Sequence, residues 1–270
     1  MSQALPWPRQ AASASRRLRL EAFGLTHVGR VRERNEDCFA ALPHLGALLV
    51  ADGVGGHCDG HIASRMAIDI VRELVEEPDA TGSSGHAPTA RQRGAERLVA
   101  GLNLANSRMH AISAGQRLKR GMATTFVGAL LHGEHITIAH VGDSRAYRLR
   151  GRQLDQLTDD HSFVGERVRA GTMTPEEAIS SPLRNMITRC VGTDADVNVD
   201  TRVERAQLDD VYLLCTDGLC GVVELWELAA ILLSHDDLRQ VAGRMIERAN
   251  DLGGPDNITV VLARVVDMAR

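Results

Sequence analysis

An acidic side chain at the end of an apolar stretch is the first sign of chemistry in this 270-residue chain. Leu48, Leu49 and Val50 are typical of a buried strand, and Asp52 and Gly53 follow them closely. Glycine lets the backbone approach a ligand, so the Asp52 carboxylate and the Gly53 carbonyl are oxygen donors of the kind that Mg²⁺ and Mn²⁺ prefer. Asp-Gly is also a common turn dipeptide, and taken alone this stretch favours an ordinary turn.

The same arrangement recurs far along the chain, and this recurrence favours a metal site over an ordinary turn. Asp217 follows the apolar run 213–215 and precedes a glycine, and Asp256 comes just before another apolar run. Near the start, Glu36 and Asp37 follow an arginine. Because an isolated buried carboxylate is costly, acids at several strand ends predict one shared metal site at one end of a sheet.

Antiparallel strands and amphipathic helices would position these acids. The apolar patterns predict strands at 22–28, 38–41, 47–51, 124–131, 135–141, 146–149, 210–215 and 258–266, and helices at 62–75, 95–113, 222–233 and 236–250. Glycine, proline and serine predict a loop over 76–93, and the segment 158–193 is predicted to contain short helices, one starting at Thr174-Pro175. This order favours an α+β fold in which two antiparallel sheets form a sandwich flanked by paired helices, in α/β/β/α layers.

Composition excludes several classes of protein. Hydrophobic residues make up 44% and charged residues 24%, and the net charge of −4 gives no reason to expect nucleic acid or a membrane as partner. The five cysteines include no C-x-x-C pair, so a disulfide scaffold is excluded and a reducing, cytoplasmic location fits. We expect residues 1–20 to be a disordered tail and residues 21–268 to form one domain that acts as a monomer.

A set of short motifs follows one order between residues 23 and 266. The motifs are Val31-Arg32-x-x-Asn35-Glu36-Asp37, Ala51-Asp52-Gly53-Val54-Gly55-Gly56-His57, Gly121-Met122-Ala123-Thr124-Thr125, Val141-Gly142-Asp143-Ser144-Arg145, Thr158-x-Asp160-His161-Ser162, Cys215-Thr216-Asp217-Gly218-Leu219 and Gly254-Pro255-Asp256-Asn257. Each motif is modest alone, but the ordered set is specific. The chain resembles the metal-dependent serine/threonine protein phosphatases of the PPM (PP2C) type, in their compact bacterial form.

The resemblance implies a centre holding two Mn²⁺ or Mg²⁺ ions. Its ligands would be Glu36, Asp52, Gly53, Asp143, Asp217 and Asp256. Asp52 would bridge both ions, Asp217 and Asp256 would complete the first, and the Gly53 carbonyl and Glu36 would serve the second. A third ion would bind at Asp143 and Asp217, beside a variable flap expected at 163–183.

The chemistry that follows is hydrolysis of a phosphate ester. Two ions lower the pKa of a bridging water, and the resulting hydroxide attacks phosphorus in line. Asp37 would orient metal-bound water, and Arg32 would hold two phosphoryl oxygens. His57 would protonate the leaving oxygen, with water on a metal ion as the rival donor. His57, Cys58 and His61 also have a spacing that zinc could use.

The leading functional hypothesis is a phosphatase that acts on phosphoserine and phosphothreonine in proteins and reverses the work of a cognate serine/threonine kinase. A pseudophosphatase that only binds phosphoproteins would lack metal acids, whereas Asp52, Asp217 and Asp256 are all present. Hydrolysis of a small phosphate ester would need a deep, closed pocket, which the sequence does not suggest.

Overall fold

The structure, a computed structural model, describes residues 17–54, 59–77, 90–115 and 121–268. The strands are β1 (Leu18–His27), β2 (Asp37–Leu42), β3 (Ala47–Val54), β4 (Ala123–Thr124), β5 (Phe126–His132), β6 (His135–Val141), β7 (Arg145–Arg150), β8 (Gln153–Gln156), β9 (Asp200–Arg205), β10 (Val211–Cys215) and β11 (Ile258–Asp267). The α-helices are α1 (Gly60–Glu76), α2 (Ala90–Gly115), α3 (Phe163–Arg169), α4 (Pro175–Ser180), α5 (Asp217–Cys220), α6 (Leu225–Ser234) and α7 (Leu238–Asp251), and a 3₁₀ helix covers Pro43–Leu45. Within the described ranges, none of these helices has the length and apolar character needed to span a membrane.

Two antiparallel sheets pack face to face. One runs in the order β1-β11-β10-β7-β8, and the other in the order β2-β3-β5-β6-β9 with β4 added beside β3. One apolar cluster fills the space between the sheets, a second lies under α1 and α2, and a third lies under α5, α6 and α7. The predicted α/β/β/α sandwich is therefore confirmed.

The central strands are apolar on both faces because each face is covered. Leu48 and Val50 of β3 point into the cluster between the sheets, while Leu49 and Ala51 point toward α1 and α2. Side chains alternate along a strand, so a strand buried on both sides must be apolar at successive positions. This double burial explains why the run that precedes Asp52 has no polar interruptions.

The helices differ from the sequence prediction at two boundaries. Helix α2 begins at Ala90, so residues 90–93 are helical rather than part of the predicted loop. There the helix lies directly on β6, since a side chain added at Gly94 would come within 2.8 Å of the Thr137 hydroxyl. The predicted helix 222–233 is wrong in its first turn: α5 ends before Gly221 and a new helix begins at Leu225.

The ends of the chain also refine the predictions. Strand β1 begins at Leu18, inside the segment predicted as tail, because Leu18 pairs with Asp267 of β11. Residues 1–16 lie outside the described part of the chain. The short helix predicted at Thr174-Pro175 is present as α4, where Thr174 and Glu177 form a reciprocal cap.

Candidate metal centre

Acidic side chains from both sheets meet at one end of the sandwich because of strand register. Strands β2 and β3 pair so that Asp37 lies opposite Asp52. Asp217 follows the last residues of β10, and Asp256 precedes the first residue of β11. Since β10 and β11 are antiparallel neighbours, the end of one lies beside the start of the other. The predicted acids are thus brought together.

The carboxyl groups of Asp52 and Asp217 belong to one buried acid cluster, close enough for their charges to interact. Burial, and then the charges of Asp37 and Asp217, raise the pKa of Asp52 well above its ordinary value. Burial, and then the charge of Asp256, also raise the pKa of Asp217. Like charges are therefore crowded in a site that favours protons or cations.

Glu36 and the carbonyl of Gly53 converge on one spot beside α1. A side chain added at Gly60 would lie 2.7 Å from Glu36 Oε2 and 3.2 Å from the Gly53 carbonyl oxygen. Gly53 in turn donates its N–H to the Glu36 carbonyl at 3.2 Å, and Ser64 donates its hydroxyl to the same oxygen. The start of α1 can approach this closely because Gly60 has no side chain. The two groups predicted to serve the second ion are neighbours.

Asp37 is held from behind by two hydroxyl groups. Its Oδ2 accepts from Thr216 at 2.9 Å and from Thr259 at 2.6 Å, while its Oδ1 is buried without a partner among the described residues. Burial raises the pKa of Asp37 to about 7, although the two hydroxyls oppose the change. One oxygen is therefore fixed and the other is free to face the acid cluster. Neither threonine was identified as a site residue from the sequence. The available signal was Thr259, a polar residue inside the apolar run 258–263.

Asp143 lies in a tight turn that His161 holds. Gly142 has a φ of 104°, and a side chain there would meet Thr125 at 2.7 Å. His161 donates its backbone N–H to the Gly142 carbonyl at 2.9 Å and accepts the Gly142 N–H at Nδ1 at 3.1 Å. Burial, and then the charge of Asp217, raise the pKa of Asp143 to about 7. Asp143 and Asp217 therefore interact, as a third metal site would require.

Arg32 supplies the opposite charge at the mouth of the centre. Its Nη2 lies 2.7 Å from Asp256 Oδ2, and its side chain is half exposed. Among the described residues, Arg32 forms no ion pair with Glu36 or Asp37, the acids of its own loop. A cavity of about 440 Å³ opens here, lined by Arg32 and the acids and, from the other side, by Asn185 and Ile187.

The flap forms that other side and is longer than predicted. Ser162 and Ile187 pair as an isolated bridge, and Phe163 donates its N–H to the Met186 carbonyl at 2.8 Å. The flap therefore comprises residues 163–186 rather than 163–183, with α3 and α4 inside it.

Asn257 ties the two acidic loops together. Its side-chain carbonyl accepts the Glu36 N–H at 2.7 Å, and its amide donates to the carbonyls of Val28 and Arg34 at 2.9 Å. The loop that carries Glu36 is thereby fixed to the loop that carries Asp256. Asn257 directly follows Asp256, but its residue type and position do not indicate this role.

The donor set fits divalent cations. Among the described residues, Asp37 Oδ1, Asp143 Oδ1 and Asp217 Oδ1 are buried carboxylate oxygens that lack a hydrogen-bond partner. Buried oxygens normally have partners, and clustered acids normally have a balancing charge. Oxygen-only donors that converge in this way suit Mn²⁺ or Mg²⁺.

A second cluster has metal-ligand residue types but is an ion-pair network. His140, His161 and Asp200 offer atoms within 4.8 Å of one another. The two imidazole rings are stacked with centroids 4.6 Å apart, and their nitrogens already have partners: His161 Nδ1 accepts the Gly142 N–H, and His140 Nε2 lies 2.8 Å from the Asp159 carbonyl. Arg189 lies 2.7 Å from Asp200 and 3.0 Å from His161 Nε2, and its guanidinium supplies the positive charge there.

His57 and Cys58 lie outside the described part of the chain. The prediction of His57 as general acid and the zinc alternative therefore stay predictions. His61 is the second residue of α1 and is exposed. Burial raises the pKa of Glu36, and the nearby His61 opposes that rise.

Comparison with known proteins gives one consistent result. A family model described as Protein phosphatase 2C matches residues 24–262. The serine/threonine phosphatase Stp of Listeria monocytogenes is 37% identical over 240 residues, which cover 88% of this chain and 92% of that protein. The crystal structure of the Mycobacterium tuberculosis serine/threonine phosphatase PstP/Ppp matches 91% of this chain and 98% of its own, with a TM-score of 0.81 and 34% identity. A structure of the PstP catalytic domain in complex with two manganese ions matches 93% of this chain and 100% of its own, at 34% identity and a TM-score of 0.78.

Proposed function

We propose how the residues of this chain carry out the reaction of its family. The chain belongs to the protein phosphatase 2C family. The protein is a metal-dependent serine/threonine phosphatase, and its substrates are phosphoproteins. The observation that supports this most directly is the convergence of unpartnered, buried carboxylate oxygens at one end of the sandwich, beside the exposed guanidinium of Arg32.

The acids would hold the two ions as the motifs imply. Asp52 would contact both ions, Asp217 and Asp256 the first, and Glu36 and the Gly53 carbonyl the second. When bound, such ions activate a water molecule as nucleophile and neutralise phosphoryl charge. The proximity of Asp52 to Asp217 and the convergence of Glu36 with Gly53 support this division. Asp143, with one free oxygen, would share a third ion with Asp217.

The remaining residues would orient the substrate and move protons. Asp37 would orient the attacking water through its free Oδ1, because Thr216 and Thr259 fix the other oxygen. Arg32 would hold the phosphoryl oxygens in a planar, two-point contact. His57 would donate a proton to the serine or threonine leaving oxygen, and a bound water is the alternative donor.

The domain bounds, the oligomeric state, the cognate kinase and the cellular location are also proposals. We infer a monomeric phosphatase domain from Leu18 to residue 268, which revises the predicted start at 21; the predicted tail falls mostly on residues 1–16, outside the described part of the chain. Its substrates would be the targets of a cognate serine/threonine kinase in the cytoplasm. The cysteines support this compartment, since within the described residues Cys38, Cys190, Cys215 and Cys220 are all free thiols.

The test is hydrolysis of a phosphothreonine peptide in the presence and absence of divalent ions. We expect turnover with Mn²⁺ or Mg²⁺ and none in EDTA, and we expect Asp52→Asn to be inactive at every metal concentration. Full activity in chelator, with the preparation shown to be free of metal, would refute the mechanism. A protein that binds the peptide with Mn²⁺ present but never releases phosphate would instead be a pseudophosphatase.

A further inference from the structure

A second cavity, of about 490 Å³, lies where the flap meets the segment between α5 and α6, and it is separate from the cavity of the metal centre. Its floor is Arg145, whose guanidinium makes a two-point contact with Asp160 and also donates to the Tyr147 hydroxyl. Apolar side chains of the flap and of the segment after α5 form the walls: Val164, Val168, Ile179, Val222 and Leu225. The residues of the metal centre do not line it. Arg145 already has hydrogen-bond and charge partners within the protein. The groups of this cavity that remain available to a ligand are therefore its apolar wall and its rim.

Large apolar side chains are exposed at the mouth of this second cavity. Ile179 is 69% exposed on the flap side, and Leu225 is 47% exposed on the α6 side. Trp226, beside Leu225, is 70% exposed. Single exposed apolar residues are normal on a protein surface, but a group of them around a concave site marks a place where another apolar group binds.

The rim carries negative charge that the protein leaves unpaired. The exposed carboxylates of Asp159 and Glu224 both line the cavity, and neither has a side-chain partner in the described part of the chain. The rim cation Arg169 donates its Nη1 to the Asp160 carbonyl at 2.8 Å and keeps its charge, so the lining holds three acids and two arginines and carries a net negative charge. A ligand that combines an apolar side chain with positive charge would therefore find complementary groups on both counts.

The two cavities share structural elements and lie close together. Asp217 at the start of α5 lines the metal cavity, and Gly221 just after its end lines the second cavity. Four residues of helix rise about 6 Å. With a radius of about 5 Å for each cavity, the centres lie at most about 16 Å apart, and about five residues of extended chain can span that distance. One polypeptide can thus occupy both sites.

We propose that the second cavity is a docking site for the phosphoprotein substrate itself. It takes an aliphatic or aromatic side chain flanked by lysine or arginine, about five residues from the phosphorylated residue. The inference rests on the proposed function. The substrate chain is the occupant that fits, because it is already anchored at the metal centre and reaches this cavity without a second partner. The site explains selection among phosphoproteins, which the metal centre alone cannot provide since it reads only the phosphoryl group.

Direct binding tests the site without catalysis. A fluorescently labelled, unphosphorylated peptide that contains Lys-Leu-Arg should bind the full-length protein in an anisotropy titration. Leu225→Glu, and separately the pair Glu224→Lys and Asp159→Lys, should weaken binding about tenfold or more, as loss of a central contact commonly does. Leu233→Glu is the matched control, since Leu233 lies on the same helix and is 41% exposed but does not line the cavity. Binding that is absent in the parent, or equal in Leu225→Glu, overturns the proposal.

Kinetics connects the site to substrate choice. Phosphothreonine peptides with Lys-Leu-Arg placed five residues before or after the phosphothreonine should have a KM about tenfold lower than peptides with Ser-Ala-Ser there. Leu225→Glu should abolish that difference, while hydrolysis of p-nitrophenyl phosphate stays at the parent rate. Equal KM values in the parent would overturn docking and leave the phosphatase function standing. Failure to hydrolyse any of these compounds with Mn²⁺ would refute the proposed function, whereas the anisotropy result would still decide the binding site. If sedimentation shows a parent dimer that Leu225→Glu dissociates, the occupant is a second copy and the proposal is wrong.

Discussion

Removing the charge of Asp143 should stabilise the metal-free protein, by an amount that depends on pH. Burial, followed by the charges of Asp217 and Asp160, raises the pKa of Asp143 from 3.8 to about 7. Because the folded-state pKa lies above the unfolded value, the folded protein binds more protons between pH 4 and 7. Stability therefore falls as the pH rises through that window, and the full penalty is present above about pH 7. One pKa unit is worth about 1.36 kcal/mol, so the penalty is at most about 4 kcal/mol.

Asp143→Asn keeps the shape of the side chain and removes this penalty. Since the neighbouring acids share the repulsion, we expect the variant to gain about 1–3 kcal/mol at pH 8 in EDTA, and progressively less toward pH 4. For a chain of this length that gain corresponds to a rise in Tm of about 2–10 °C. Thermal unfolding followed by circular dichroism from pH 5 to 8 measures it, with exposed Asp236→Asn as control. A variant no more stable than the parent at pH 8, or a gain that does not shrink toward pH 5, would refute the reasoning.

Three further predictions concern the metal ligands, the contact of Arg32 with the phosphoryl group, and the packing beneath the metal centre. Asp217→Asn and Asp256→Asn should lose activity while the circular dichroism spectrum stays that of the parent, since each removes a proposed ligand together with a repelling charge; normal turnover at saturating Mn²⁺ would show that the first ion is misplaced. Arg32→Ala should lower kcat/KM about ten- to a hundredfold and weaken inhibition by inorganic phosphate, with lysine rescuing only partly. Unchanged phosphate inhibition with reduced metal affinity would make Arg32 a structural partner of Asp256. Gly218→Ala should reduce Mn²⁺ affinity in calorimetry, because a side chain there would collide with the Asn257 carbonyl; affinity equal to the parent's would mean that this contact does not hold the site.

The sequence alone identified the layers of the fold and the acids of the centre. Strand β3 and strand β10 are buried on both faces, so their apolar runs are continuous and the acids that follow them stand out. Strand β9 was missed because it lies at the edge of its sheet and is mostly charged, with Val203 as its one aliphatic residue, which gives no apolar pattern. The early start of α2 was missed because its first turn is polar.

Only the tertiary structure decided how the oxygen atoms are divided between structural and chemical roles. Asp37 has one oxygen fixed by Thr216 and Thr259 and one left free, although these residues are far apart in the chain. In the same way, the structure pairs Arg32 with Asp256 rather than with an acid of its own loop. Residue types and spacing give the kind of ligand available, but the partner of each atom depends on how loops from two sheets meet. The second cavity has the same origin, since the flap and α6 bring its walls together from distant segments.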